Sequence, residues 1–172
     1  VQLVLKEGDL LLEQMSICDY MRQPFKIDKP IRLIELFAGY GSQAMALKNL
    51  GVEFEHYRVV EFDRFAIASY NAVHGTDFPT IDICDIKGCD LGITDTETYC
   101  YIVSYSFPCT DISVPGQQQG MEEGSGTRSS LLWEVKRLLD KCENLPQVLL
   151  MEHVTAVHSK ENMPHFRKWL DY

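Results

Sequence analysis

No stretch of the 172-residue sequence stays apolar for the roughly 20 residues that a membrane-spanning helix needs. The opening VQLVLKEGDL carries neither the basic flank nor the small-residue cleavage site of a secretory leader, so a soluble protein of the cell interior is expected. Basic charge is scarce: 16 Lys and Arg stand against 25 Asp and Glu, a net charge of −9. A basic face that grips nucleic acid by charge alone is not evident, and a basic surface for DNA would have to lie elsewhere. The six cysteines (Cys18, Cys84, Cys89, Cys100, Cys109, Cys142) form no C-x-x-C pair and are too sparse for a disulfide scaffold. Reduced thiols, most of them small core residues, are expected. His153, His158 and His165 have no metal-ligand spacing, so no metal is expected. There is no internal repeat and no low-complexity tract.

The remaining composition, 45% hydrophobic and 24% charged, is that of a folded globular domain. Residues 1–30 read as an N-terminal appendage. Leu10, Leu11, Leu12, Met15, Cys18 and Met21 share a helical face until Pro24 and Pro30 break the pattern. From Ile31 the pattern becomes strand alternating with helix. Strands are expected at 31–37, 57–60, 80–86, 99–104 and 147–151, the last of them buried. Helices are expected after Gly41, after Asp63 as N-cap, and over 129–142. Five strand signals interleaved with helices predict a doubly wound, mostly parallel α/β sheet. The one long loop, Thr110 to Arg128, follows a strand end, where such sheets place their sites.

Gly39-Tyr40-Gly41-Ser42-Gln43-Ala44 is a G-x-G-x-x-A turn between a strand and a helix, a geometry that lets backbone approach a nucleotide closely. Glu61 follows about twenty residues later at the end of the next strand, where a carboxylate accepts both hydroxyls of a ribose. NAD and S-adenosylmethionine both satisfy that arrangement. Phe37 and Phe62 are placed to stack on an adenine or to fill core, and Asp85 to accept the adenine amino group or to cap a solvated turn. Ser106-Phe107-Pro108-Cys109 ends the next strand signal and should aim the Cys109 thiol into the crevice. Glu152 closes the last one, beside Cys109 if the two strands are neighbours; a carboxylate ending a buried strand is costly unless paired or used.

Taken together, Glu35-Leu36-Phe37-Ala38-Gly39-Tyr40-Gly41, Glu61-Phe62-Asp63, Asp85-Ile86, Phe107-Pro108-Cys109, Gly116-Gln117-Gln118-Gln119-Gly120 and Met151-Glu152-His153-Val154 resemble the cytosine-5 DNA methyltransferase family of bacterial or phage type, in order and in spacing. The resemblance implies a Rossmann-like fold and S-adenosylmethionine rather than NAD. By it Phe37, Gly39, Gly41, Glu61, Phe62, Asp85, Ile86 and Pro108 line the cofactor site, Cys109 is the nucleophile and Glu152 the carboxyl group at the cytosine N3. The partner it implies is double-stranded DNA with a cytosine flipped into the pocket, the Thr110 to Arg128 loop closing over it. Three positions depart from the family pattern: Ser42 replaces a Gly, Thr110 a Gln and His153 an Asn.

The chain opens without Met and stops inside the helical stretch HFRKWLDY, before the later family motifs. Residues 31–172 are therefore expected to be a partial catalytic domain without its target-recognition region. It would work with a missing C-terminal half or a second chain, in restriction-modification or host-defence evasion, in the cytoplasm of a bacterium or a phage-infected cell. Two other readings stand beside this one: the tRNA-methylating branch that shares the cysteine and the glutamate, and a non-catalytic cofactor-binding module.

Overall fold

The computed structural model describes residues 26–112 and 120–172. The helical face expected at Leu10 to Met21 and the glutamines of the long loop lie outside these residues. Four strands, β1 (Ile31–Leu36), β2 (Phe54–Val60), β3 (Cys100–Tyr105) and β4 (Val148–Met151), form one sheet in the order β2-β1-β3-β4. All three pairings are parallel. The helices are α1 (Ser42–Asn49), α2 (Arg64–His74), α3 (Leu132–Leu139) and α4 (Met163–Leu170).

Alternation along β1 shows how the layers form. Leu33 packs with Ala44 of α1, whereas Ile34 and Leu36 pack with Leu132, Val135 and Leu138 of α3 and with Phe166 and Trp169 of α4. Residues of opposite parity are thus buried under helices on opposite faces, the doubly wound arrangement that the sequence pattern implies. Ile27 packs against the α1 face and Pro30 accepts a hydrogen bond from the Cys100 N–H (2.9 Å), which ties residues 27–30 to the sheet.

Two expectations need correction. Residues 80–86 form no strand. Asp82 turns its Oδ1 back onto the Cys84 N–H (2.9 Å), and its carbonyl accepts from Asp85, so the segment curls into a 3-10 turn over Ile83–Asp85. Among the described residues the sheet has four strands where five were expected. Nor is the last strand buried: β4 lies at the edge, with Leu149 47% and Leu150 50% exposed.

Chain order makes β1 the switch point. From it the chain goes to β2 on one side and, after the Ile83–Asp85 turn, to β3 on the other, opening a crevice at the carboxyl ends of the strands.

Candidate active site

Each strand end delivers one part of this crevice. Beyond β1 the backbone folds tightly: Phe37 (φ 56°), Gly39 (56°) and Gly41 (82°) all adopt positive φ, and the Gly41 N–H donates to the Ala38 carbonyl at 2.9 Å. Phe37 is the sole non-glycine with positive φ among the described residues, a strain of the kind that clusters at functional sites. A Cβ on Gly41 would lie 2.3 Å from His74 Nε2 and 2.6 Å from Tyr70 Cε2, so only glycine lets the turn settle onto α2. At Gly39 a Cβ would meet nothing within 4 Å.

Beyond β2, Glu61 is 9% exposed and both of its carboxylate oxygens are held. Oε2 accepts from the Gly39 N–H at 2.9 Å and Oε1 from the Asp63 N–H at 2.8 Å. Each oxygen keeps a further lone pair. Asp63 in turn caps α2, accepting from the Phe65 and Ala66 N–H groups. Phe62, 61% exposed, offers a bare aromatic face.

A cleft of about 380 Å³ joins these elements; it is lined by Phe37, Glu61 and Phe62 on one side and by Ile81–Cys84, Ser106, Pro108 and Arg128 on the others. The expected residues Phe37, Glu61, Phe62 and Pro108 thus meet in one cleft. Asp85 and Ile86 do not reach it. Asp82 and Ile83 line the wall in their place: both aspartates are exposed, and the curl of the 3-10 turn brings the first pair to the cleft. Gly39 is joined to the cleft through its bond to Glu61, and Gly41 supports the turn from behind.

Beyond β3 the chain runs from Ser106 and Pro108, which line the cleft, to Cys109, which is half-buried and packs against the core. The thiol therefore lies one residue past the cleft wall. Ser129, fully buried and absent from the expected site, pins this segment. Its Oγ donates to the Pro108 carbonyl (2.8 Å) and its N–H to Asp111 Oδ2 (3.0 Å). The Gly120 N–H closes the base of the long loop on the Asp111 carbonyl (3.2 Å). The other thiol at the cleft, Cys84, is pushed up to about 11, first by burial and then by the Asp82 carboxylate beside it.

Glu152 follows β4, the direct neighbour of β3. The Ser106 hydroxyl donates to Glu152 Oε2 at 2.6 Å, and the Glu152 N–H donates to the Tyr105 carbonyl at 3.1 Å. The expected juxtaposition with Cys109 holds at the level of neighbouring strand ends. The carboxylate itself is exposed, since β4 is an edge. His153 stacks on Phe107 with centroids 3.9 Å apart and planes 21° apart, and burial holds its imidazole below its ordinary value. The two strand ends are thereby zipped together by a neutral ring.

Among the described residues no group of three or more His, Cys, Asp or Glu is arranged to hold a metal ion, and no helix is long and apolar enough to cross a membrane.

The model of the family described as C-5 cytosine-specific DNA methylase matches residues 31–172. The chain is similar to the orphan methyltransferase M.SssI of Spiroplasma monobiae, 51% identical over 70 residues that cover 40% of this chain and 18% of that protein. With the type II methyltransferase M2.ScrFI of Lactococcus lactis subsp. cremoris it shares 27% identity over 195 residues, covering 83% of this chain and 52% of the relative. With the type II methyltransferase M.HhaI of Haemophilus parahaemolyticus it shares 32% over 132 residues, covering 77% and 36%. The chain spans about half the length of these relatives or less. Its fold is like that of the Dnmt2 methyltransferase of S. pombe, with a TM-score of 0.60 at 23% identity over 81% of this chain and 39% of that one. It is also like that of the Entamoeba histolytica methyltransferase EhMeth, with a TM-score of 0.65 at 15% identity over 83% and 44%.

Proposed function

Since the chain belongs to the C-5 cytosine-specific DNA methylase family, we propose that it is the cofactor-binding and nucleophile-bearing part of an enzyme that methylates C5 of cytosine in DNA, with S-adenosylmethionine as the methyl donor. The observation that carries this reading is the meeting, in one cleft, of a doubly anchored carboxylate, a bare aromatic ring and the strand end that leads to Cys109. The residues fit the cofactor. Glu61 has lone pairs for both ribose hydroxyls, Phe62 has a free face for the base, and the volume lies within the usual range for small-molecule pockets. When bound, S-adenosylmethionine supplies an electrophilic methyl group on a sulfonium.

Cytosine C5 is too weak a nucleophile to accept that methyl group unaided. The Cys109 thiolate adds to C6, which raises electron density at C5. A proton shared between Glu152 Oε1 and N3 stabilises the charge that builds on the ring; Ser106, donating to Oε2, leaves Oε1 free to face the base. After transfer, a solvent water takes the C5 proton and the thiolate departs from C6, which restores the C5–C6 double bond and releases 5-methylcytosine. The base is reached by flipping it out of the duplex, with the loop after Cys109 closing over it. Sequence recognition and most phosphate contacts belong to the part of the enzyme beyond residues 31–172, in the same or a second chain.

The test has two stages. Calorimetry on the chain should show binding of S-adenosylhomocysteine. With the C-terminal continuation restored, bisulfite sequencing of DNA treated with S-adenosylmethionine should show new 5-methylcytosine, and tRNA offered in parallel should stay unmodified. Methylation of tRNA alone would transfer the activity to the RNA branch, and absence of binding would remove the cofactor assignment.

A further inference from the structure

The cleft wall that carries Asp82 and Ile83 has no ladder to hold it. No strand occurs between Val60 and Cys100, and the turn at Ile83–Asp85 is only three residues long. Its local bonds, Ile81 N–H to the Glu61 carbonyl (2.8 Å) and Cys84 N–H to Asp82 Oδ1 (2.9 Å), fix its shape and one end. The rest of its placement comes from burial of the Ile83 side chain in the core and from α3. The Arg137 guanidinium donates from Nη2 to the Ile83 carbonyl and from Nη1 to the Ile86 carbonyl, both at 2.9 Å, while Nε donates to Glu134 Oε2 at 2.5 Å. One planar fork thus grips both ends of the turn and is itself oriented by a carboxylate on its own helix. That geometry is available to arginine and denied to the point charge of lysine. The helix behind it is firmly seated, since Leu132, Val135 and Leu138 are fully buried.

We infer that Arg137 is a positioning residue that sets the Asp82–Ile83 wall at its distance from Glu61 and Phe62, and so gives the cleft its preference for adenine. The inference rests on the S-adenosylmethionine reading above. Asp82 has already committed Oδ1 to its own turn, which leaves Oδ2 for an exocyclic amino donor. Adenine presents such a donor. Hypoxanthine presents a carbonyl oxygen at the same place and would meet the carboxylate acceptor to acceptor. A wall released from α3 loses that discrimination while Glu61 still holds the ribose.

The experiment uses the chain as it is, in the wild type, Arg137→Gln, Arg137→Lys and, as a control on the same helix, Lys136→Gln. The probes are S-adenosylhomocysteine and S-inosylhomocysteine, each titrated by calorimetry, and hydrogen exchange of the Ile81, Cys84 and Asp85 amides is followed without ligand. In Arg137→Gln the wall amides should exchange about tenfold faster or more. S-adenosylhomocysteine should bind about tenfold more weakly, and the inosyl analogue within about twofold of wild type, as expected for loss of charge-assisted hydrogen bonds that act through the wall. Arg137→Lys should fall between, and Lys136→Gln should match wild type. Unchanged exchange in both Arg137 variants overturns the inference, as does faster exchange with the adenine preference intact. A wild type that binds neither probe overturns the cofactor reading instead, and the exchange arm still decides whether Arg137 holds the wall. If Arg137→Gln fails to fold, Arg137→Lys decides alone.

Discussion

The two sides of the cleft are built on opposite plans. On the β1–β2 side the functional groups are held several times over: Glu61 by two backbone N–H groups, the glycine turn by contact with Tyr70 and His74, and the buried Glu35 beneath it by the Ala44 N–H and the Tyr70 hydroxyl. On the β3–β4 side Glu152 is exposed, one serine hydroxyl holds it, and the strand that delivers it is an edge. Under the proposed function, the difference follows from what each side does. A ribose and a base are bound most tightly by groups fixed before they arrive, whereas a nucleophile and its partner carboxyl must admit a flipped base and complete their enclosure around it. Mutations should therefore register as lost stability on the first side and as lost chemistry on the second.

The largest effect is expected from Gly41→Ala. The new Cβ would collide with His74 and Tyr70, and φ of 82° is strained for any L side chain, so a loss of about 2–5 kcal/mol in unfolding free energy is expected, together with loss of S-adenosylhomocysteine binding. Gly39→Ala, with the same sign of φ and open space around it, should cost only about 1–2 kcal/mol. Urea denaturation of both variants measures the contrast. Equal losses at the two glycines would mean that contact with α2 contributes nothing.

Glu61→Ala comes next. It should weaken S-adenosylhomocysteine binding by about 1.5–3 kcal/mol, the range for hydrogen bonds to a charged group, as read by calorimetry. It also frees the Gly39 and Asp63 N–H groups, so some loss of stability should accompany the loss of affinity. An unchanged affinity would place the ribose elsewhere.

The same contrast explains what could be read from the sequence. The unit from β1 through the glycine turn, α1, β2, Glu61 and the Asp63 cap is legible because each signal is local: a strand run, a turn, a cap, a carboxylate at fixed spacing. The wall is not. Asp82-Ile83 and Asp85-Ile86 are the same dipeptide three residues apart, and only the curl of the 3-10 turn decides which one faces the cleft. The apolar, β-branched character of 80–86 suggested a strand, but Asp82 competes for the backbone and wins. Arg137 and Ser129 act across 54 and 21 positions respectively, on backbone carbonyls that carry no sequence signature. The apolar run ending in Met151 suggested burial, which depends on a neighbour beyond β4 and not on the run itself.

A smaller effect follows from pH. His56 is half-buried beside α2 and lowered to about 4, first by burial and then by Lys48 and His74; burial lowers His74 and His153 as well. A histidine whose folded value lies below its unfolded value binds its proton in the unfolded state first. Stability is then complete above about pH 6.5 and falls as the pH drops toward 4. Glu35, raised by burial, works in the opposite sense: its contribution is complete below the unfolded carboxylate value and is lost as pH rises. His56→Gln keeps a partner for the Tyr70 hydroxyl and should remove about 1–2 kcal/mol of the acid-side loss, allowing for solvent screening. Unfolding free energies measured between pH 7 and 4.5 give the two slopes, and identical slopes would exclude His56 as the source.

The smallest effect on stability, and the sharpest test of the comparison, is expected at Cys109. Its thiol is half-buried at the rim of the core, and Cys109→Ser swaps one small group for another, so unfolding should change by less than about 1 kcal/mol. The same holds for Glu152→Gln, where the exposed side chain keeps an acceptor for Ser106. Chemistry should respond quite differently. With the continuation restored and DNA carrying 5-fluorocytosine at the target, fluorine cannot depart as a proton does, so the adduct between the nucleophilic sulfur and C6 persists and can be mapped by mass spectrometry. Wild type should trap DNA through Cys109, Cys109→Ser should trap none, and Glu152→Gln should trap slowly, because the ring charge is left without its carboxyl partner. For the 172-residue chain alone, no cysteine-dependent transfer from tritiated S-adenosylmethionine to a duplex is expected even at low salt. A net charge of −9 does little against phosphate repulsion, and unstacking a base costs a few kcal/mol that other contacts must offset. An adduct at Cys84, Cys89 or Cys100, or transfer by the chain alone, would show that the β3–β4 side is built on another plan than the one its exposed carboxylate and single serine anchor describe.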